Sequence, residues 1–325
     1  MKATGVVAVV LTCIALAVMT APLFAGEKAK GEETISLSGA WALYPMAVKW
    51  AEEYQKTHPG VKIDIAAGGA GKGIADCLAG MVDIGMVSRE VTPAEAAKGA
   101  WWAAVTKDAV VPTVSAENPV LSDLLAKGVK KETLAGIWMT GKVKTWGEAS
   151  GKDADAGDLP PAPAIHVYTR SDACGAAETW AKYLGGKQED LQGIGVYGDP
   201  GLAEAVRKDA LGIGYNNIGY AYDFRSGRQI AGIRVLPLDL DGDRTLSPAE
   251  NFYGAQGELV KAIAEGKYPS PPARDLYFVC RGKPGREAVS AFIRWVLTEG
   301  QKFVPETGYI TLPTETLQKE LGKLQ

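Results

Sequence analysis

Three times between Thr34 and Ala100 a short strand pattern runs into a punctuating turn and then into a helical pattern, and this rhythm constrains the fold more than any other feature. Thr34-Ile-Ser-Leu-Ser38 alternates as a half-buried strand does. After Gly39, Pro45 to His58 places Met46, Val48, Trp50, Ala51 and Tyr54 on an amphipathic helix, which Pro59-Gly60 ends. Val61 to Ile65 is the next strand, followed by Gly68-Gly-Ala-Gly-Lys-Gly73 and a helix through Ile74 to Leu78. Val82 to Val87 is the third strand, with Pro93 to Ala100 as its helix. Strands that alternate with helices predict an α/β fold, a mostly parallel sheet flanked by helices.

The first 25 residues set the compartment. Lys2 precedes an apolar run from Val6 to Met19, and small residues lead to Phe24-Ala25-Gly26 before charged Glu27. That order is the layout of a secretory signal peptide. The apolar run, about 14 residues, is short for a permanent ~30 Å span. The expected division is a signal peptide over 1–25, cleaved after Ala25, and a linker over 26–33. The protein is then periplasmic or otherwise exported.

The rest of the chain is long enough for two domains. Val110 to Ser115 reads as a strand running into Glu117-Asn-Pro119, a crossing to a second lobe. There Leu121–Leu125 and Lys131–Trp138 read as helices, Ser150–Ala164 as a loop, Ile165–Thr169 as a strand and Ala176–Leu184 as a helix. Ala210–Tyr215 and Asp275–Cys280 are further strands, the latter returning to the first lobe, which an amphipathic Arg286–Gly300 helix closes. Lobe I is expected over 34–112 plus 273–325 and lobe II over 113–272, with two hinge crossings.

Composition excludes several functions. Lys and Arg number 35 against 38 Asp and Glu, with no basic stripe, so nucleic acid is not a partner. With only His58 and His166, a zinc site or a His-based triad has little material. Cys77, Cys174 and Cys280 lack CxxC spacing and are odd in number, which argues against a disulfide framework. No Gly-x-Ser-x-Gly elbow appears.

Six segments, in order, resemble the substrate-binding proteins of bacterial phosphate ABC importers. They are Ser38-Gly-Ala-Trp-Ala-Leu-Tyr-Pro45, Gly68 to Ile74, Val82-Asp-Ile-Gly-Met-Val-Ser-Arg89, Leu134 to Trp146, Thr169-Arg-Ser-Asp-Ala-Cys-Gly-Ala176 and Gly212-Ile-Gly-Tyr215. The resemblance implies a type II periplasmic binding fold of two lobes and a non-enzymatic protein. Such a protein captures phosphate or a related oxyanion and delivers it to an ABC permease, most simply as a monomer. It carries the ligand site onto Ala40, Trp41, Ala42, Ala70, Gly71, Lys72, Ser88, Arg89, Arg170, Cys174, Gly175 and Ala176.

The residue types fit an anion. Small residues at strand-to-helix turns leave backbone N–H groups and positive helix ends facing one point, and Arg170 adds a forked donor. Yet the hydroxyls usual in the family are absent at Ala40, Trp41, Ala42, Ala70, Cys174 and Ala176. At about 1–3 kcal/mol per lost charged hydrogen bond, phosphate weakens strongly. Lys72, Ser88-Arg89 or a stacking Trp41 could compensate, so two readings stay open: phosphate, or a larger or partly organic anion. A sensor or scaffold role is a further alternative, and an exported hydrolase, for which the sequence offers no nucleophile elbow, is another. Cys174 is either a small thiol in a serine's place or a reactive one.

One motif lies outside the resemblance. In Asp239-Leu-Asp-Gly-Asp-Arg-Thr-Leu-Ser-Pro-Ala-Glu250, Asp239, Asp241, Asp243, Thr245, Ser247 and Glu250 fall at positions 1, 3, 5, 7, 9 and 12 of a calcium loop. Arg244 sits at position 6, where glycine is usual. No cofactor is required, and structural Ca2+ is the one ion that the sequence points to.

Overall fold

The computed structural model describes residues 33–151 and 162–325. The expected signal peptide, the linker up to residue 32 and the middle of the 150–164 loop lie outside the described residues.

The chain opens with β1 (Glu33–Gly39), α1 (Tyr44–Thr57), β2 (Val61–Ala67), α2 (Ala70–Leu78), β3 (Ile84–Val87) and α3 (Pro93–Ala97). Next come β4 (Ala100–Ser115), α4 (Leu121–Lys127), β5 (Val129–Lys130), α5 (Lys131–Trp138) and α6 (Trp146–Ser150). Then follow β6 (His166–Arg170), α7 (Gly175–Leu184), β7 (Ile194–Val196), α8 (Gly198–Lys208) and β8 (Gly212–Asn217). The remainder forms β9 (Ile233–Val235), β10 (Leu238–Asp239), α9 (Gln256–Ala264), β11 (Ala273–Arg281), α10 (Glu287–Leu297) and α11 (Thr314–Gly322).

The strands run in the order β2-β1-β3-β11-β4-β8-β6-β7, with β9 also on β4 and β10–β5 a separate pair. Pairs β1–β2, β1–β3, β6–β7 and β6–β8 are parallel, as βαβ crossovers require. The crossing strands are antiparallel to their neighbours, so the sheet is mixed at its centre. β4 pairs with β11 from Ala100 to Ala109 and with β8 from Val110 to Val114.

Two apolar clusters meet along this ribbon. One gathers Trp50, Tyr54, Phe278, Phe292 and Val105; the other gathers Trp138, Trp146, Trp180, Tyr215 and Ala109. α1 joins the first through Met46, Ala47, Trp50, Ala51 and Tyr54, its buried stripe, with Pro45 in its opening turn.

Several expected boundaries move. The helix expected to reach Ala100 stops at Ala97, because Gly99 takes φ +91° and turns the chain into β4. β4 is sixteen residues long rather than six. Val82-Asp83 precedes β3, and the Asp83 carboxylate accepts from the Ser36 N–H and hydroxyl at 2.9 Å. The closing helix ends at Leu297 and passes into a 3-10 turn over Glu299–Phe303. No helix among the described residues is long and apolar enough to cross a membrane.

Candidate ligand cleft

The N-terminal ends of α2 and α7 face one another. Gly69, just before α2, takes φ +91°, and a Cβ there would stand 2.9 Å from both the Ala173 carbonyl and an Asp172 carboxylate oxygen. The Gly71 N–H donates to the Ala173 carbonyl at 3.1 Å. The glycines therefore admit the backbone of the facing loop itself. Gly175, first in α7, abuts Ser88, whose carbonyl and hydroxyl oxygens would each lie 2.3 Å from an added Cβ. A cavity of about 440 Å³ opens beside these loops, lined by Gly71, Arg89, Ala173, Cys174, Glu178 and Gln188.

Ala40, Ala42, Ala70 and Ala176 are buried. Trp41 is half-buried against Tyr44 and Tyr197, and its carbonyl accepts from the Tyr220 hydroxyl at 3.2 Å. Its indole Nε1 is buried without a partner. Cys174 caps α7, its sulfur accepting from the Ala177 N–H at 3.4 Å. Burial pushes this thiol up to about 12 against the pull of Arg170. A buried thiol raised in this way has the character of a small residue in a serine's place.

The cations are already engaged. Lys72 reaches Asp76 and the Ser38 hydroxyl. Arg89 forks onto Glu95 at 2.9 and 2.6 Å and touches Glu178 across the cleft at 2.9 Å. Arg170 has a fully buried side chain, grips Asp172 at 2.8 and 2.6 Å and reaches Asp199 at 2.5 Å. Burial opposes its charge, yet Asp199 and its other neighbours hold its pKa above the ordinary value.

The structure thus brings Trp41, Ser88, Arg170 and the α2 and α7 loops together, while Lys72 turns to Asp76 and Arg89 spans the cleft mouth between Glu95 and Glu178. Sequence reasoning missed Asp199, Asn217, Arg274 and Asp108. Asn217 donates to Asp199 at 2.5 Å and accepts from Arg274. Asp108 lies opposite Arg274 across the paired strands β4 and β11. Burial lifts its carboxyl to about 6 against the attraction of Arg274. Asp199 lies in the first turn of α8, in a Gly-Asp-Pro-Gly sequence that carries no strong helix signal.

Burial works against the Glu95 carboxylate, but Arg89 and the Thr92 N–H and hydroxyl outweigh it and hold its pKa near 2. A depressed carboxylate stabilises the fold above its unfolded pKa and loses that contribution as pH falls. Stability should therefore drop by roughly 3 kcal/mol through this group as pH falls from 4.5 to 2. Urea melts across that range should show a correspondingly shallower slope in Glu95→Gln, and parallel slopes would refute the account.

The 239–250 loop stands apart from the cleft. Carboxylate oxygens of Asp239, Asp241 and Asp243 lie within 4.8 Å of one another. Asp239 accepts from the Gly242 and Arg244 N–H groups at 2.7 and 3.0 Å, and Glu250 from the Leu240 N–H at 2.8 Å. Ser247 donates its hydroxyl to Glu250 at 2.7 Å, and the Thr245 N–H donates to Asp243 at 2.7 Å. Arg244 adopts φ +63°, the left-handed turn usually left to glycine, and its Nη2 donates to the Ser150 carbonyl at 2.9 Å.

Two apolar clusters bridged by paired strands, with helix N-termini meeting in the cleft, define a two-lobed ligand-binding architecture. Residues 25–299 match the family described as PBP superfamily domain, and the chain belongs to that family. It is 27% identical to the phosphate-binding protein PstS of Methanocaldococcus jannaschii, covering 87% of this chain and 84% of that one. The phosphate-binding protein PstS of Xylella fastidiosa (strain Temecula1) is also 27% identical, over 90% and 85%. Among solved structures, a candidate phosphate ABC transporter substrate-binding protein from Clostridium perfringens, with phosphate bound, aligns at TM-score 0.68 and 22% identity over 86% of this chain and all of that one. An ABC-type phosphate transport receptor from Vibrio cholerae aligns at 0.59 and 20%, over 86% of this chain and all of that one.

Proposed function

We propose that this protein captures a small oxyanion, phosphate first, in the cleft between its lobes and delivers it to an ABC permease. The observation that carries this reading is the meeting of the α2 and α7 N-termini around glycine-lined loops, where backbone N–H groups and helix dipoles favour negative charge. The names of the relatives support phosphate. The lobes, 34–112 plus 273–325 and 113–272, close about the β4 and β11 crossings near Val111–Val114 and Pro272–Leu276. The protein acts after export, with its leader removed near Ala25, as a non-enzymatic monomer.

Alanines at 40, 42, 70 and 176, where hydroxyls would serve a phosphate, favour a second reading in which the ligand is a larger or partly organic anion. Titration calorimetry with phosphate, arsenate, sulfate and molybdate separates the two. Micromolar or tighter phosphate binding supports the first, and silence toward phosphate rejects it.

We further propose that the 239–250 loop holds a structural Ca2+ through Asp239, Asp241, Asp243, the Thr245 carbonyl, a Ser247-oriented water and Glu250. Calcium at about 100 times its Kd should add about 2.7 kcal/mol of stability relative to chelator. Asp241→Asn should abolish most of that rise in thermal melts; a calcium-independent melting temperature in the parent protein would end the proposal.

A further inference from the structure

Arg170, the cation that the sequence singles out, is answered by two buried carboxylates. A second guanidinium lies beneath the same loops. Arg274 opens β11 at the crossing and is 8% exposed. Its Nε donates to the Ser88 carbonyl at 2.9 Å and its Nη2 to Asn217 Oδ1, while the nearest Asp108 oxygen stands 3.8 Å away. Its Nη1 has no partner, the only buried guanidinium nitrogen among the described residues in that condition. Ser88 abuts Gly175, so Arg274 stands behind the N-terminus of α7 with an unused donor.

The indole Nε1 of Trp41 is a second unused donor. It lies 3.5 Å from the place that a Gly198 Cβ would take, beside Asp199. Asn217, which holds Arg274, also donates to Asp199. Trp41 Nε1 thus borders the Asp199 segment from the opening loop, and Arg274 is tied to Asp199 through Asn217 at the hinge. A buried donor without a partner costs stability, and a ligand oxygen removes that cost.

We infer that Arg274 Nη1 and Trp41 Nε1 are side-chain donors to the bound oxyanion, added to the Arg170 guanidinium that Asp172 and Asp199 hold in place. This inference rests on the oxyanion reading given above. It also explains how the cleft could retain an anion without the missing hydroxyls: a charged donor and an indole N–H stand in for them.

The test is titration calorimetry of the mature chain with inorganic phosphate, arsenate, sulfate and molybdate, comparing the parent with Trp41→Phe and Arg274→Lys. Trp41→Phe removes the N–H and keeps a ring. Each variant should bind the preferred anion at least tenfold more weakly with its near-ultraviolet circular dichroism preserved, and the Trp41 indole 15N–1H resonance of the parent should shift on saturation. Should Arg274→Lys fail to fold, Trp41→Phe and the indole resonance decide the matter. Parent-like affinity in Trp41→Phe with an unmoved indole resonance would overturn this assignment alone. A parent chain silent to all four anions would overturn the oxyanion reading and this assignment with it.

Discussion

Arg170→Met should lower the folding free energy by about 3–5 kcal/mol, the range seen when one partner of a buried ion pair is removed. The methionine fills much of the volume but leaves Asp172 and Asp199 facing each other in a dry site. Asp172 keeps the Gly198 N–H at 3.2 Å, and Asp199 keeps Asn217. Those hydrogen bonds do not replace a guanidinium that made contacts with both carboxylates. Adding Asp199→Asn to Arg170→Met removes one stranded charge and should recover part of the loss. Urea denaturation at neutral pH measures both. A single variant as stable as the parent would mean that the charges are solvated in solution and that the buried bridge is not what orders these loops.

Gly175→Ala should hold the cleft open. Alanine is the better helix former by about 1 kcal/mol in a helix interior, but Gly175 is the first residue of α7, so little of that gain applies. The cost falls on the contact with Ser88, where the new methyl would lie 2.3 Å from both the carbonyl and the hydroxyl oxygen. Backbone cannot swing aside as a side-chain tip can, and separation of the two sides relieves the clash most cheaply. Small-angle scattering should report a larger radius of gyration in the presence of ligand. Affinity should fall at least tenfold, because the binding-competent closed form becomes a minor population. Unchanged scattering with unchanged affinity would show that Ser88 yields instead, and that this contact does not gate closure.

Much of this was legible beforehand, for physical reasons that differ from segment to segment. Strands β1 to β3 and helices α1 and α2 announce themselves because apolar spacing and glycine turns are local. β4 is legible over less than half its length because Ala103 to Ala109 is buried at every position but Lys107, which erases the alternation that marks a half-exposed strand. α8 was missed because its first turn is Gly-Asp-Pro-Gly, residues that suit both a turn and a helix start.

The site divides in the same way. Its glycine loops and Arg170 are visible in sequence. The second acid that decides what Arg170 can do is not, since Asp199 lies 29 positions away and reaches it only through the packing of α8. Arg274 and Asp108 are 166 positions apart by their numbers and meet only because β4 and β11 are paired. Nearer partners were within reach: Glu95 for Arg89, because Thr92-x-x-Glu95 is a capping box written in four residues, Asp76 four positions after Lys72, and Asp172 two after Arg170.

The pairing of β4 with β11 has a consequence for how such molecules diversify. The chain leaves the first core on β4 and comes back on β11, and Ala109 and Ala273 are direct neighbours at the point of exit and return. Everything between them is one uninterrupted stretch whose two ends are already stitched together. A length of chain with joined ends can be exchanged for a cousin's as a cassette, with a single seam to match rather than two. Chimeras cut at that seam offer a way to trade one half of a cleft, and with it half of a ligand's contacts, while the other half keeps its own architecture.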